Sequence, residues 1–363
     1  MSLTITEGGY NIDEATGAFS LDDPDVARDL AGGPPKSCFG IVVEALARRR
    51  AAGLGGFTVC SCDNLRGNGD TARKAFTAFA RARDPGLADW IDAEVDFPNS
   101  MVDRIAPQVT EAVRDKLNRR SGVDDGLPAM AESFNQWVSE DRFRYGRPRL
   151  EAAGVEFRDD VAEHVGVKGR MLNAAHMMMC WPSLLMGQRL VHEAMADDRV
   201  VALVRAFLDH DVIPYIDPPA GVRLDKYRAM IVERFSNPAI ADQLLRVASD
   251  GASKLPIFHT KTLSTLIAAG ADLRREAFML ACYARCLLGR DDAGAAFEVV
   301  EPVLKPADWA LVRSGPAGIL RASPFAALGL QAHRPFMAAF DRYSASIARH
   351  GASSTLDGVL RGD

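Results

Sequence analysis

Ser2 to Glu7, SLTITE, alternates β-branched and polar residues, and the pattern predicts a strand closed by the Gly8-Gly9 turn. Asp22-Asp23-Pro24 has the form of a helix cap with Pro at the first helical position, and it opens a short helix to about Leu30. Ser37 caps a stronger helix, CFGIVVEALARRRAAG, which Gly53 ends. Phe57 to Cys62, FTVCSC, is almost continuously apolar, as strands of a parallel sheet are. Strand, helix, strand is the α/β pattern. Asp63-Asn64-Leu65 and Gly67-Asn68-Gly69 follow, then a helix opened by Asp70 and a second one after Asp84-Pro85. Near Phe157 the pattern changes. Leu190 to Leu208, Leu224 to Phe235, Ile240 to Val247, Leu255 to Ala268 and Leu273 to Leu288 all carry helical spacing, and Asn237-Pro238 is a helix start signal. The chain is therefore expected to be an α/β domain over residues 1–157 followed by a mostly α-helical domain over residues 158–363.

One run stands apart. Val167 to Cys180, VKGRMLNAAHMMMC, is small or apolar except for Lys168, Arg170, Asn173 and His176. On an α-helix, at about 100° per residue, Asn173 lies about 140° round from Lys168 and His176 about 80° round. Two explanations fit. A snorkelling Lys with a hydrogen-bonded core Asn and His satisfies the pattern structurally. A base, a polarising amide and an orienting imidazole converging on one oxygen atom satisfies it chemically. Asp63 and Asn64 follow a strand whose carboxyl end is where ligands bind in α/β sheets, although both are also turn formers. Asp103 and Arg104 close a short apolar segment, and a surface ion pair explains them equally well.

Composition narrows the classes. Hydrophobic residues are 48% and charged residues 25% of the chain, as in ordinary globular proteins. A net charge of −5 leaves no electrostatic footprint for nucleic acid. The first residues lack the charged and apolar regions of a signal peptide. The longest apolar run, Met177 to Gly187, is interrupted by Pro182 and Ser183 and is too short to span a bilayer. No membrane partner is expected, and a cytoplasmic location is. The six cysteines are scattered through apolar segments, which suits reduced core thiols, and no His or second Cys pair completes a zinc site around Cys282 and Cys286.

Five stretches then occur in order: FTVCSCDNLRGNGDTARKA, ADWIDAEVDFPNSMVDRIAP, FNQWVSEDRFRYGRP, VKGRMLNAAH and VERFSNPAIADQLLRVASDGASKLP. Together they resemble the mannitol dehydrogenase family of long-chain polyol dehydrogenases, with FPNSMVDRIAP the most specific single match. The resemblance runs from Ser2 to about Asp292. It implies a partial Rossmann-like domain, then a helical catalytic domain, with the site between them. It also implies metal-independent hydride transfer between NAD or NADP and a polyol, ketose or hexuronate. By motif, Lys168 is then the general acid/base, Asn173 and Asn64 polarise the substrate oxygen, and His176 holds a substrate hydroxyl. Asp103 lies beside the reacting centre, Arg246 and Lys254 reach the far end of the substrate, and Glu7 with Asn64 contacts the cofactor. Met177, Met178 and Met179 are expected on the second wall, where their adaptability leaves the substrate open.

Two departures matter. Family members often carry Glu three residues before the Lys, where it relays protons. Val165 stands there, with Glu163 and His164 as the only nearby substitutes. The chain also lacks the G-x-G-x-x-G strand–turn–helix that seats pyrophosphate. The expectation is a chain without its first nucleotide-binding half, binding nicotinamide poorly, and monomeric or weakly self-associating through exposed sheet edge. Two other functions stay open: a sugar-binding or assembly module without catalysis, and a sugar-phosphate dehydrogenase whose phosphate clamp would be Arg246 and Lys254.

Overall fold

Asp63 decides where the first sheet ends. In the computed structural model, which describes residues 1–13 and 16–362 and all of their side chains except that of Glu7, β1 covers only Ser2–Leu3. It pairs in parallel with β2, Cys60–Ser61. The expected strand is cut short because the amides of Ile5 and Thr6 turn to the Asp63 carboxylate (3.2 and 2.8 Å). Thr6 there adopts φ 66°, a left-handed conformation that no strand continues. β2 is likewise shorter than Phe57 to Cys62, because the Val59 amide donates to the Asp96 carbonyl instead (2.9 Å).

The chain divides into two compact units, Met1–Arg104 with Glu132–Val165, and Ile105–Ala131 with Gly166–Asp363. The sequence division at Phe157 lies within the last strand of the first unit. In that unit α1 (Pro24–Leu30) starts where Asp23 accepts from the amides of Asp25 and Val26. α2 (Cys38–Ala51) starts on the Ser37 hydroxyl and buries Phe39, Val42, Val43 and Leu46, one helical face, against the first core. α3 (Asn68–Arg83) and α4 (Pro85–Glu94) pack beside it, α4 on its Asp84 cap. A second sheet holds β3 (Ser100–Asp103), β4 (Gln136–Ser139) and β5 (Val155–Phe157). β4 runs antiparallel to β3 and parallel to β5.

Helix α5 (Glu111–Ser121) counts with the second unit, and α6 (Val161–Val167) carries the chain across the division. The second unit is helical, as expected. α7 (Ala174–Leu185) is its central helix, and every residue of it except His176 is buried. Pro182 does not break it, since the helix runs on to Leu185 around the missing donor. α8 (Val191–Ala194), α9 (Asp198–Ala206) and α10 (Leu224–Phe235) follow. Asn237-Pro238 starts no helix. The Asn237 side chain accepts from the Ala239 amide as a turn, and the next helix, α11, spans Leu244–Ala248. α12 (Gly251–Ala268) and α13 (Arg274–Cys286) complete the expected set. α14 (Pro306–Arg313), α15 (Ser323–Ala326) and the long α16 (Arg334–Arg361) lie beyond it. α16 is two helical stretches joined at Gly351, φ 79°. The Asp292 carboxylate receives the Ala352 amide there (2.6 Å), and a Cβ on Gly351 would meet that carboxylate at 2.8 Å. All six cysteines are free thiols. Among the described residues no helix is long and apolar enough to cross a membrane.

Candidate functional site

Lys168–Asn173 is a π turn, not part of an α-helix. The Ala174 amide donates to the Gly169 carbonyl, five residues back. This overturns the angular argument from 3.6 residues per turn. A turn closed by i→i+5 bonds brings residues five apart onto one face, as an α turn does for residues four apart. Lys168 and Asn173 are five apart. His176 follows three residues later in α7, where i and i+3 are neighbours. The three polar side chains are each half-buried, whereas Met171 and Leu172 and the rest of α7 are buried.

The His176 ring stacks on Phe235, centroids 3.9 Å apart and planes 20° apart. Its Nε2 is buried without a hydrogen-bond partner. Burial, then the positive charges of Arg246, Arg234, Lys254 and Lys168, hold its pKa well below the ordinary imidazole range. The ring is therefore neutral, with one donor and one acceptor nitrogen. A small cavity of about 10 Å³, room for one water-sized group, is lined by His176, His192, Arg234, Asn237 and Asp242. His192 Nδ1 is also buried without a partner. Sequence reasoning missed Arg234, His192 and Asn237. Arg234 and Asn237 lie in VERFSNP, a stretch that carries the resemblance, but no spacing argument reaches them.

Arg246 and Lys254 are committed locally. Arg246 pairs bidentately with buried Asp242 one turn back, through Nε at 2.7 Å and a second, shorter bond. Lys254 Nζ donates to the carbonyls of Ser249 (2.6 Å) and Val247 (3.4 Å), and burial lowers its pKa. Met177, Met178 and Met179 belong to the core of the second unit at 2%, 0% and 0% exposure. They form no wall of a site, contrary to expectation, because α7 turns only its His176 face outward.

In the first unit Asn64 is exposed just past the carboxyl end of β2. Asp63 is not free for chemistry, contrary to expectation. It is buried and receives the Ile5 and Thr6 amides and the Tyr10 hydroxyl (2.7 Å). Nor does Asp70 open α3 with its own side chain. The Gly69 and Asp70 amides donate to Asn99 Oδ1 (2.9 and 3.2 Å). A Cβ on Gly69 would stand 2.5 Å from the carbonyl oxygens of Phe97 and Pro98, so only glycine fits. Asn68, fully buried, donates to the carbonyls of Ser61 and Asp63 (3.0 and 3.1 Å) and accepts from the Gly69 and Ser100 amides (both 2.9 Å). Asp103 is buried at the end of β3 rather than at the surface, and Arg104 Nε donates to the Glu132 carbonyl (2.9 Å). Val165 packs on Met101, Val138 and Val161. Glu163 is exposed, and His164 is buried with its Nε2 3.7 Å from Asp160 and without a hydrogen-bond partner. The side chain of Glu7 lies outside the described residues.

A dinucleotide rests its pyrophosphate on a free helix N-terminus. In the first unit α1, α2, α3 and α4 each begin under a side-chain acceptor, from Asp23, Ser37, Asn99 and Asp84. What fits a nicotinamide cofactor is Asn64 past a parallel strand.

Residues 1–152 match the mannitol dehydrogenase Rossmann domain, and residues 160–332 match the mannitol dehydrogenase C-terminal domain. The chain belongs to the mannitol dehydrogenase family. It is 50% identical over 315 residues to a polyol:NADP oxidoreductase of Gluconobacter oxydans, across 86% of this chain and 65% of that protein. It is 38% identical over 360 residues to a mannitol 2-dehydrogenase of Phaeosphaeria nodorum, across 98% of this chain and 63% of the relative. The chain thus spans just under two thirds of these curated relatives. Two solved structures share its fold. A substrate-free D-sorbitol dehydrogenase gives a TM-score of 0.89 at 45% identity, over 98% of this chain and 74% of that one. Pseudomonas fluorescens mannitol 2-dehydrogenase, solved with NAD and D-mannitol, gives 0.86 at 43% identity, over 100% and 74%. These likenesses make the first unit Rossmann-type and the second the helical domain of the mannitol dehydrogenase family.

Proposed function

We propose that this chain carries the proton-transfer site of an NAD- or NADP-dependent oxidoreductase acting on a polyol, its ketose or a hexuronate. The observation that supports it most is the π turn, whose i→i+5 closure brings Lys168 and Asn173 toward one face beside His176, all three half-buried. Lys168 takes the proton of the substrate hydroxyl during oxidation and returns it during reduction. The amide N–H groups of Asn173 and Asn64 stabilise the negative charge that builds on that oxygen. Neutral His176 offers its unpartnered Nε2 to a neighbouring hydroxyl. Asp103 lies beside the reacting carbon, and Arg246 and Lys254 set the length of substrate accepted. Nicotinamide, when bound beside Asn64, supplies or accepts the hydride.

A phosphorylated sugar is the weaker reading. Arg246 is engaged by Asp242 and Lys254 by two carbonyls, so neither stands as an open phosphate clamp. The relatives include one named for NADP and one solved with NAD, and both cofactors belong in the test. Initial rates with mannitol, arabinitol, sorbitol, fructose and fructuronate, each with NAD(H) and NADP(H), should show turnover for at least one pair. No turnover with any pair would favour a sugar-binding or assembly module and end the catalytic proposal.

A further inference from the structure

The second unit contains a cavity that nothing in the proposed reaction uses. It lies among α13, the end of α14, the turn after it, and α16, and encloses about 170 Å³. Its origin is visible in the side chains. On α13 the positions 281, 284 and 285 lie on one helical face, continued by Leu288 in the turn after it, and two of them are alanine. Ala281 and Ala284 are too small to fill the space opposite Val312 and Ile347. A cavity of about 150 Å³ lined by aliphatic groups suffices for a benzene ring.

Two polar groups line this apolar space. Arg285 Nε and Ser344 Oγ are both buried and have no hydrogen-bond partner. Arg285 forms no ion pair among the described residues. Its charge reaches Asp292, but that carboxylate is taken by the Ala352 amide (2.6 Å). Arg313 adds a second guanidinium at the exposed edge of the lining, and no lining residue is acidic. An always-charged guanidinium with a buried, unused N–H is costly to leave unpaired, and its preferred partner is a planar carboxylate. The apolar body of the cavity and the cationic group beside it together define one ligand chemistry.

We propose that this cavity is a binding site for a small organic carboxylate with an aryl or branched apolar body. The body occupies the space left by Ala281 and Ala284. The carboxylate accepts from Arg285 Nε and from the Ser344 hydroxyl, with Arg313 closing the charge from outside. The site takes no part in hydride transfer, and its test does not need turnover.

Isothermal titration of the full chain with benzoate, and with benzyl alcohol as the neutral probe of like shape, reads the proposal directly. Benzoate should bind with one site per chain, and benzyl alcohol more weakly. Arg285→Met keeps much of the side-chain volume and should weaken benzoate at least about tenfold while leaving benzyl alcohol nearly unchanged. Ala348→Phe, at an exposed position on the lining, should block both probes without disturbing the core. Circular dichroism of each variant separates lost binding from lost folding. Absence of benzoate binding at millimolar concentration would overturn the site. So would benzoate binding that survives Arg285→Met and Ala348→Phe unchanged.

Discussion

Asp63 and His176 are both polar groups in apolar surroundings, and the chain treats them in opposite ways. Asp63 collects two backbone amides and a tyrosine hydroxyl. Asn68 beside it uses both its amide nitrogen and its oxygen on four backbone groups. His176 stacks on Phe235 and leaves Nε2 without a partner. A satisfied buried network fixes architecture, because every bond it makes is lost together. An unsatisfied buried group lowers stability and persists where a ligand completes it. Both motifs carry the family resemblance, yet one builds the sheet end and the other leaves a buried polar atom open, which the proposed function assigns to chemistry. Each of the following measurements tests that division.

The largest effect is expected at Lys168. Lys168→Ala should lower kcat by roughly 10²–10⁴-fold with the best substrate and cofactor pair, as loss of a general acid/base does. The melting temperature should scarcely move, because the side chain is half-buried at the edge of the core. Near-normal kcat across pH in this variant would remove Lys168 from the reaction. A collapse of folding instead would move it to the architectural side of the comparison.

Asn68→Ala should behave in the opposite way. It strands the buried amide of Ser100, which costs about 1–3 kcal/mol, and removes the Asn68 bonds to the carbonyls of Ser61 and Asp63, although the Ser100 hydroxyl still serves Ser61 (2.6 Å). The expected loss is about 3 kcal/mol of unfolding free energy in urea. A loss below about 1 kcal/mol would mean that the network is not what holds β2, α3 and β3 together.

These two residues also show what sequence makes legible. Caps are local, so Asp23, Ser37 and Asp84 could be read from their own neighbourhoods, and the helices they open lie where expected. The end of β1 could not, because the carboxylate that captures its amides lies 57 and 58 residues away. The π turn was hidden for another reason. Lys168, Asn173 and His176 were found by type and motif, but no periodicity distinguishes i→i+5 from i→i+4 bonding over six residues. Angles drawn for an α-helix thus gave the wrong relative placement of the three residues. Asn68 and Asn99 resembled turn residues, and their clamping role depends on a contact between α3 and the start of β3. Helix α16 carries Phe336, Phe340, Tyr343 and Ile347 at helical spacing, so its absence from the expected set reflects a pattern present but unread.

A smaller effect tests the unsatisfied side through pH. Burial, with four nearby cations, keeps native His176 neutral, while an unfolded imidazole protonates below about pH 6.5. Between 6.5 and the depressed native value the unfolded chain binds more protons, so stability falls as pH falls. The loss per group is about 1.4 kcal/mol for each pH unit in that window. His164, lowered by burial and then by Arg158, contributes in the same direction. His176→Gln should therefore reduce the stability lost between about pH 7.5 and about pH 5.5 by roughly 1 kcal/mol. An identical loss in both proteins would show that His176 is protonated in the native state, contrary to its surroundings.

The smallest effect returns to the satisfied side, at its exposed edge. Asn99 caps α3 from the loop before β3, receiving the Gly69 and Asp70 amides. Its own amide nitrogen donates to Asp70 (3.0 Å) and Glu140 (3.2 Å). Asn99→Ala removes an N-cap, which typically costs about 1 kcal/mol. The cost should stay near that value and well below that of Asn68→Ala. Asp70 is exposed, so water can reach its released amide, whereas the groups Asn68 serves are sealed. Paired denaturation curves for the two variants measure the difference. If Asn99→Ala proves as damaging as Asn68→Ala, solvent access does not separate them, and the clamp extends outward to include the whole FPNS stretch.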